Sequence, residues 1–569
     1  MNASTIDSHA RKRLFAGICL ALIPTGAQFA LIANVLGQFK AEFILTNAQV
    51  GMIAGAGIGA MTFSLLLLGP GLEKYGMRMG TIAAFLGHLL GLTVVLSALF
   101  MRGDPNAYWV LLIGVGLLGV GNGMIEVAGN PLTTALYPED KTTKLNLFHA
   151  FFPLGILSGA LIGFGLNNLQ GSESLGFMYH WTFQVGIIYI PILIYGYLVL
   201  PQKFPKTEYG ESGRPLGEMF KATFASPLMY VLMLMLGLAM CIELGSGRWI
   251  PEIFAQAGLG NYAILLMAWT STIMILLRVF AGAFVHRLSP PGMLCFAGVV
   301  TGLALLLYSG AEGGFMAFLA ATCFGVGVAF FFPTIVGLVS ERLPHTGSLG
   351  IILTMGVGLG VAGFVGTPYI GQIADVQIAK HLDEDELRAE TASVLRQAEQ
   401  VFTERLAEIE GLTPEDILEQ GIAYRPEDIE RALPVIRAGI EDYEANDERI
   451  VGTAVPVALR EIGGVPIDDS SVVRAGEILS PAEAFGGQRA LLIITPTAGV
   501  IALIFGIMYV RDRARGGYKV VRLDSTVAHS GVPKRTDEVM DDLADKVSRP
   551  LGSPDQPGGG DQPGPSDRS

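Results

Sequence analysis

Along this 569-residue chain the apolar positions neither alternate nor recur on one helical face; they run on in about twelve long stretches. Six lie at 14–36, 50–68, 81–100, 109–137, 145–166 and 181–200, and six more, after a polar linker, at 227–249, 262–285, 293–308, 315–339, 349–373 and 490–510. A helix needs roughly 20 apolar residues to cross a hydrocarbon core of about 30 Å. In that medium every backbone N–H and C=O must pair internally, so these stretches read as helices. A dozen helices with almost no polar face do not suit a water-soluble domain. The expected fold is an all-α membrane protein, twelve transmembrane helices in two six-helix pseudo-symmetric bundles, with an extra soluble helical insertion.

The basic residues give an orientation. Arg11, Lys12 and Arg13 precede the first stretch; Lys74 and Arg78 follow the second, Lys141 and Lys144 the fourth, and Lys203, Lys206, Arg214 and Lys221 the sixth. Arg287, Arg342 and the group Arg511, Arg513, Arg515 continue the alternation, while the intervening loops hold little beyond Lys40 and Arg102. The positive-inside rule then puts both termini in the cytoplasm, with the protein expected in a bacterial cytoplasmic (inner) membrane. The first stretch is too long for a signal-peptide core and reads as retained.

Charge changes the picture in one place. The formal net charge of −13 comes from 376–487, where about 25 acidic residues face 10 basic ones. By the same rule this segment lies outside the cytoplasm. Leu387, Val394, Val401 and Ile409 recur about every seven residues, a helical pattern. Thr413-Pro414-Glu415-Asp416 and Ser480-Pro481-Ala482-Glu483 resemble helix starts, each with a hydroxyl, a first-turn Pro and an acid. The segment reads as a solvated acidic cap. The division is 1–200, the first bundle; 201–226, a cytoplasmic linker; 227–375, helices seven to eleven; 376–487, the insertion; 488–515, helix twelve; and 516–569, a polar tail whose Gly-, Pro- and Asp-rich end is expected to be disordered.

Composition agrees with a membrane protein: 16% charged residues, mean hydropathy +0.49 and 73 glycines. Gly51, Gly55 and Gly59, like Gly155, Gly159 and Gly163, fall at the four-residue spacing of close helix packing. The four cysteines show neither a disulfide framework nor metal-ligand spacing, and no Walker A loop points to ATP hydrolysis.

The halves repeat. Gly69-Pro70-Gly71-Leu72-Glu73-Lys74-Tyr75-Gly76-Met77-Arg78 follows the second stretch, and Gly282-Ala283-Phe284-Val285-His286-Arg287 follows the eighth. Gly123 through Pro131 in the fourth matches Gly325 through Pro333 in the tenth, but Glu126 faces Val328 and Asn130 faces Phe332. A duplicated scaffold with unequal polar content marks where chemistry was selected.

These residues resemble the major facilitator superfamily. The Gly69–Arg78 stretch is similar to its signature loop, with Glu73 where Asp is usual; the resemblance covers 11–375 and 488–515. It implies that Glu73, Lys74 and Arg78, with Arg287 in the repeat, serve gating; Arg278 is grouped with them. Three further stretches resemble the fucose:proton symporter group of sugar permeases. They are Glu126-Val127-Ala128-Gly129-Asn130-Pro131, the run Leu145 to Gly155 with His149 in place of Gln, and Glu243 to Trp249. The group's helix-one Asp falls at Ala33 here, which bears on proton coupling and sugar binding.

The residues stand out without the resemblance. An ionisable group at membrane depth costs roughly 2.5–3.5 kcal/mol on insertion scales, so it faces a cavity and has a task. Glu126, His149 and Glu243 are the candidates for proton coupling. Gln28, Asn34, Asn122, Glu126, Asn130, Asn146, His149 and Trp249 are the candidates for substrate binding. Trp249 equally suits the interfacial aromatic belt, and Arg278 could either neutralise Glu126 or snorkel. The expected protein is not an enzyme. It is a secondary active transporter of a small polar solute, a monosaccharide or polyol, working by alternating access with proton symport. Alternatives are a proton-coupled exporter and a transporter-like sensor using the outer insertion. No metal or cofactor is implied, the proton gradient being the energy source. The partners expected are the solute and the lipid bilayer, with no nucleic acid, a monomeric state and no assigned partner for the insertion.

Overall fold

The structure, a computed structural model, describes residues 7–521 apart from 44–46, 103, 105, 170, 171, 173, 208, 211–214, 410, 413–419, 421, 423 and 425. Arg214, the helix start at 413–416 and the tail from 522 lie outside the described residues.

Helices account for nearly all of it. Eleven are long and apolar enough to cross a membrane: Ser8–Leu36, Gly55–Tyr75, Met77–Met101, Ala107–Leu136, Lys141–Asn167, Trp181–Val199, Pro227–Leu259, Arg287–Ser309, Gly313–Arg342, Pro344–Leu382 and Ser470–Ala514. A shorter apolar helix, Leu265–Val279, stands where the eighth stretch was expected. Counting it in chain order gives first to twelfth spans among the described residues.

The internal repeat reappears as packing. The first span packs on the fifth, the second on the fourth and the third on the fourth; the seventh packs on the eleventh, the eighth on the tenth and the ninth on the tenth. Glycine allows the closest of these approaches. A Cβ on Gly155 would sit 2.5 Å from the Ile23 carbonyl oxygen and 2.9 Å from the Gly26 Cα, so the first and fifth spans meet backbone to backbone. The Gly51–Gly59 spacing has no such role, since a Cβ on Gly55 or Gly59 would meet nothing within 4 Å.

The insertion has its own core. Helices Asp385–Ile409, Pro426–Ala445 and Ala454–Gly464 bury Leu395, Phe402, Ile436 and Leu459 against Ile378 and Leu382 of the eleventh span and Ile478 of the twelfth. The twelfth is one 45-residue helix, Ser470–Ala514, which begins inside the insertion. Arg460 fastens the arrangement by pairing with Asp375 at 3.2 Å and Glu483 at 2.5 Å.

The two bundles touch at the end that carries the basic loops. There Glu341 Oε1 accepts from Thr142 N at 3.2 Å and Thr142 Oγ1 at 2.7 Å, and Lys141 Nζ donates to the Ser340 carbonyl at 3.4 Å. Glu73 Oε1 accepts from Ser348 N at 3.2 Å.

Candidate functional site

Two prolines decide where polar chemistry collects. Proline has no N–H to offer the carbonyl four residues before it. Pro153 therefore leaves the His149 carbonyl free, and Pro333 leaves the Ala329 carbonyl free. The helices break at these points, between His149 and Phe151 in the fifth span and between Val328 and Phe331 in the tenth. A free carbonyl at membrane depth needs a donor. Arg278 serves both: Nη1 donates to His149 O at 3.0 Å and Nε to Ala329 O at 2.7 Å. Its Nη2 donates to Glu243 Oε1 at 3.1 Å. Glu243 sits in a π-helical stretch, Cys241–Ser246, of the seventh span. One guanidinium thus joins a proline-freed carbonyl of each bundle to a carboxylate. Arg278 therefore belongs to the centre and not with the basic-loop residues with which the sequence grouped it, and it does not pair directly with Glu126.

A second chain meets the first at His149. Asn130 Nδ2 donates to Glu126 Oε2 at 2.6 Å and to the Glu126 carbonyl at 2.9 Å. Asn130 Oδ1 accepts from His149 Nε2 at 2.9 Å, which puts the ring proton on Nε2. The Glu126 carboxylate lies 3.8 Å from that nitrogen. Glu126, Asn130, His149 and Arg278 are all buried. The Phe332 ring stands edge-on to the His149 ring, 4.9 Å between centroids. The polar path therefore runs Glu126–Asn130–His149–Arg278–Glu243, crossing from one bundle to the other.

Among the described residues three buried polar atoms beside this path have no protein partner: Glu243 Oε2, Ser246 Oγ and Asn146 Oδ1. Asn146 itself reaches across the bundles, its Nδ2 donating to Thr334 Oγ1 at 3.2 Å. Gln28 is buried on the first span.

Other sequence candidates lie elsewhere. Asn122 Oδ1 accepts from His88 Nε2 at 2.9 Å, and His88 Nδ1 accepts from the Tyr195 hydroxyl at 2.9 Å, a network internal to the first bundle. Asn34 bonds Gln184 at 2.7 Å and Asn167 at 3.2 Å, also within that bundle. Trp249 packs edge-on against Gly371 and lines a crevice of about 750 Å³ with Asp375, Arg460 and Glu483, beside the insertion. Of the signature loop, Glu73 reaches the other half, and its second oxygen accepts from Thr207 Oγ1 at 2.6 Å. Lys74, Arg78 and Arg287 are exposed and make no such bridge among the described residues. The sequence did not single out Glu341 or Thr142; Pro153 and Pro333, each four residues beyond an Arg278 acceptor, were the signal that could have led to those acceptors.

The comparisons with known proteins agree with this architecture. The Major Facilitator Superfamily profile matches residues 18–367. The L-fucose-proton symporter of Escherichia coli (strain K12) is 22% identical over 372 residues, which cover 60% of this chain and 82% of that protein. The cis,cis-muconate transport protein of Acinetobacter baylyi (strain ATCC 33305 / BD413 / ADP1) is 24% identical over 318 residues, 53% of this chain and 73% of that one. A crystal structure of the superfamily transporter FucP in the outward conformation superposes with a TM-score of 0.52 at 21% identity, covering 63% of this chain and 92% of that one. With its paired bundles, its repeat and a profile match over more than half its length, the chain belongs to the Major Facilitator Superfamily, a family of non-enzymatic, multi-pass membrane transporters.

Proposed function

We propose that this transporter moves a neutral polyhydroxylated solute, a monosaccharide or polyol, in symport with a proton carried by Glu126. The observation that carries the reading is the buried path from Glu126 to Glu243. The path holds two carboxylates and one guanidinium, which pairs with Glu243 alone, so with both acids ionised the cluster holds one uncompensated negative charge. Burying that charge is costly, and uptake of one proton neutralises it. Glu126 is the acid without the arginine, and Asn130 can hydrogen-bond it in either state.

The chemistry around the path favours a neutral solute. All three nitrogens of Arg278 already donate to protein acceptors, so a carboxylate solute would have to displace one. The unpartnered Glu243 Oε2, Ser246 Oγ and Asn146 Oδ1 suit the hydroxyl donors of a sugar. This sets the chain closer to the relative named for fucose than to the one named for muconate. With contacts gathered at the basic-loop end, and that end cytoplasmic, the conformation is outward-open. Proton entry at Glu126 would weaken its hold on Asn130 and His149, and through the His149 carbonyl on Arg278, so that the bundles can rock.

The test is uptake into proteoliposomes under an imposed pH gradient, screened over neutral sugars. Glu126→Gln keeps the size and hydrogen bonding of the side chain but cannot release a proton. It is expected to lose gradient-driven accumulation and to keep solute exchange. Full accumulation by the variant would remove Glu126 as the carrier.

A further inference from the structure

The insertion is rich in acids, and its arginines are matched to them. Every described arginine from 376 to 488 is in an ion pair. Two cations beside it are not. Lys380, near the end of the eleventh span, and Arg489, on the twelfth, are both exposed and have no carboxylate partner among the described residues. Arg489 instead lies over the Phe485 ring, 5.1 Å from its centroid, and Phe485 stacks on His381 at 4.4 Å. His381 also bonds Glu384 at 2.9 Å, so that acid is engaged.

Both cations line one groove of about 340 Å³ between the eleventh and twelfth spans. Its lining includes Lys380, His381, Phe485 and Glu384, the last held by His381, and it is walled further along by Leu492 and the exposed Ile493. Depth gives this arrangement its meaning. From 490 to 510 the chain has no charged residue, and Arg511 follows. At 1.5 Å per residue this run is about 31 Å of helix, one hydrocarbon thickness, so Arg489 stands at the bilayer boundary. A boundary groove with cations above and apolar walls below matches a phospholipid, headgroup upward.

We propose that this groove binds the phosphate of an anionic phospholipid between Lys380 and Arg489, with an acyl chain along Leu492 and Ile493. The guanidinium, which lies over the Phe485 ring, offers the phosphate a paired donor edge, and Lys380 adds a point charge. Such a lipid would seat an acid-rich insertion on a membrane whose own negative charge repels it.

The experiment uses the full chain in nanodiscs, reading thermal unfolding and, after release into detergent, bound lipid by native mass spectrometry. Phosphatidylglycerol is expected to raise the unfolding temperature over phosphatidylcholine and to be retained. Lys380→Ala with Arg489→Ala is expected to cut the preference for phosphatidylglycerol about tenfold or more, from the loss of two interfacial cations. Arg489→Lys is expected to keep part of it, and Arg474→Ala, on the insertion surface, all of it. An undiminished preference in the double variant would overturn the proposal. So would an equal stabilisation by inorganic phosphate, which would mark a soluble-anion site instead. If the double variant does not fold, Ile493→Asp, which places charge against the acyl chain and leaves both cations, is expected to abolish lipid retention; unchanged retention would overturn the proposal too.

Discussion

At the residue scale, Asn130 is the joint of the candidate site. It donates to Glu126, one helical turn before it, and accepts from His149, so its amide links an acid of the fourth span to an imidazole of the fifth. Asn130→Ala leaves both buried groups short of a partner, a cost of about 1–3 kcal/mol. Initial uptake is expected to fall roughly tenfold or more on the scale of 1.4 kcal/mol per decade. His149→Gln keeps a side-chain donor for Asn130 and leaves the backbone carbonyl that receives Arg278, so it is expected to retain most of the rate. Equal losses in the two variants would remove Asn130 from this position. Burial was legible in the sequence: Glu126, His149 and Glu243 stood out as ionisable groups in apolar runs, and all three side chains are largely buried. Direction was not. Asn122 lies one turn before Glu126 and Asn34 near the end of the first span, yet the rotation of their helices aims them at His88 and Gln184, and rotation depends on packing that no single stretch encodes.

At the element scale, the apolar runs were legible almost completely, because the bilayer imposes length and backbone pairing on each span independently of the others. The eighth was the exception, a short helix that ends at Val279 just after Arg278. Glycine spacing was a weaker guide. The same four-residue pattern is a contact stripe in the fifth span and open surface in the second, since a stripe needs a facing backbone to become an interface. Gly155→Ala forces a methyl against the Ile23 carbonyl and the Gly26 Cα and is expected to destabilise the first bundle by about 1–3 kcal/mol. Gly165→Ala, where a Cβ meets nothing within 4 Å, is expected to be neutral. Thermal unfolding of the two variants in one detergent compares them directly; similar midpoints would show that the close approach carries no stability.

At the scale of the whole molecule, the orientation is open to a direct test. Val473 is well exposed on the insertion, on the first turns of the twelfth helix. A cysteine placed there in a background lacking the four native cysteines is expected to react with a membrane-impermeant thiol reagent on intact cells. Reaction only after lysis would invert the topology and with it the direction in which the bundles open. The sequence reading set 376–487 apart as an acidic unit but not how it is mounted, because the mounting is tertiary: Arg460 clamps two spans, and the twelfth helix continues into the insertion without a break. At about 1.5 Å per residue that helix is roughly 67 Å long. One end lies in the insertion; near the other, Asp512 pairs with Arg342, the neighbour of the Glu341 that holds Thr142 of the opposite bundle. Tyr518, just beyond, donates to the same Glu341, and its hydroxyl is kept protonated, well above the usual tyrosine range, by burial and by that negative charge. A beam anchored in this way tilts as one piece. The insertion is then a mast on the second bundle, and a dye at its tip would sweep a wider arc than any reporter within the membrane, turning each turnover of the carrier into a visible swing.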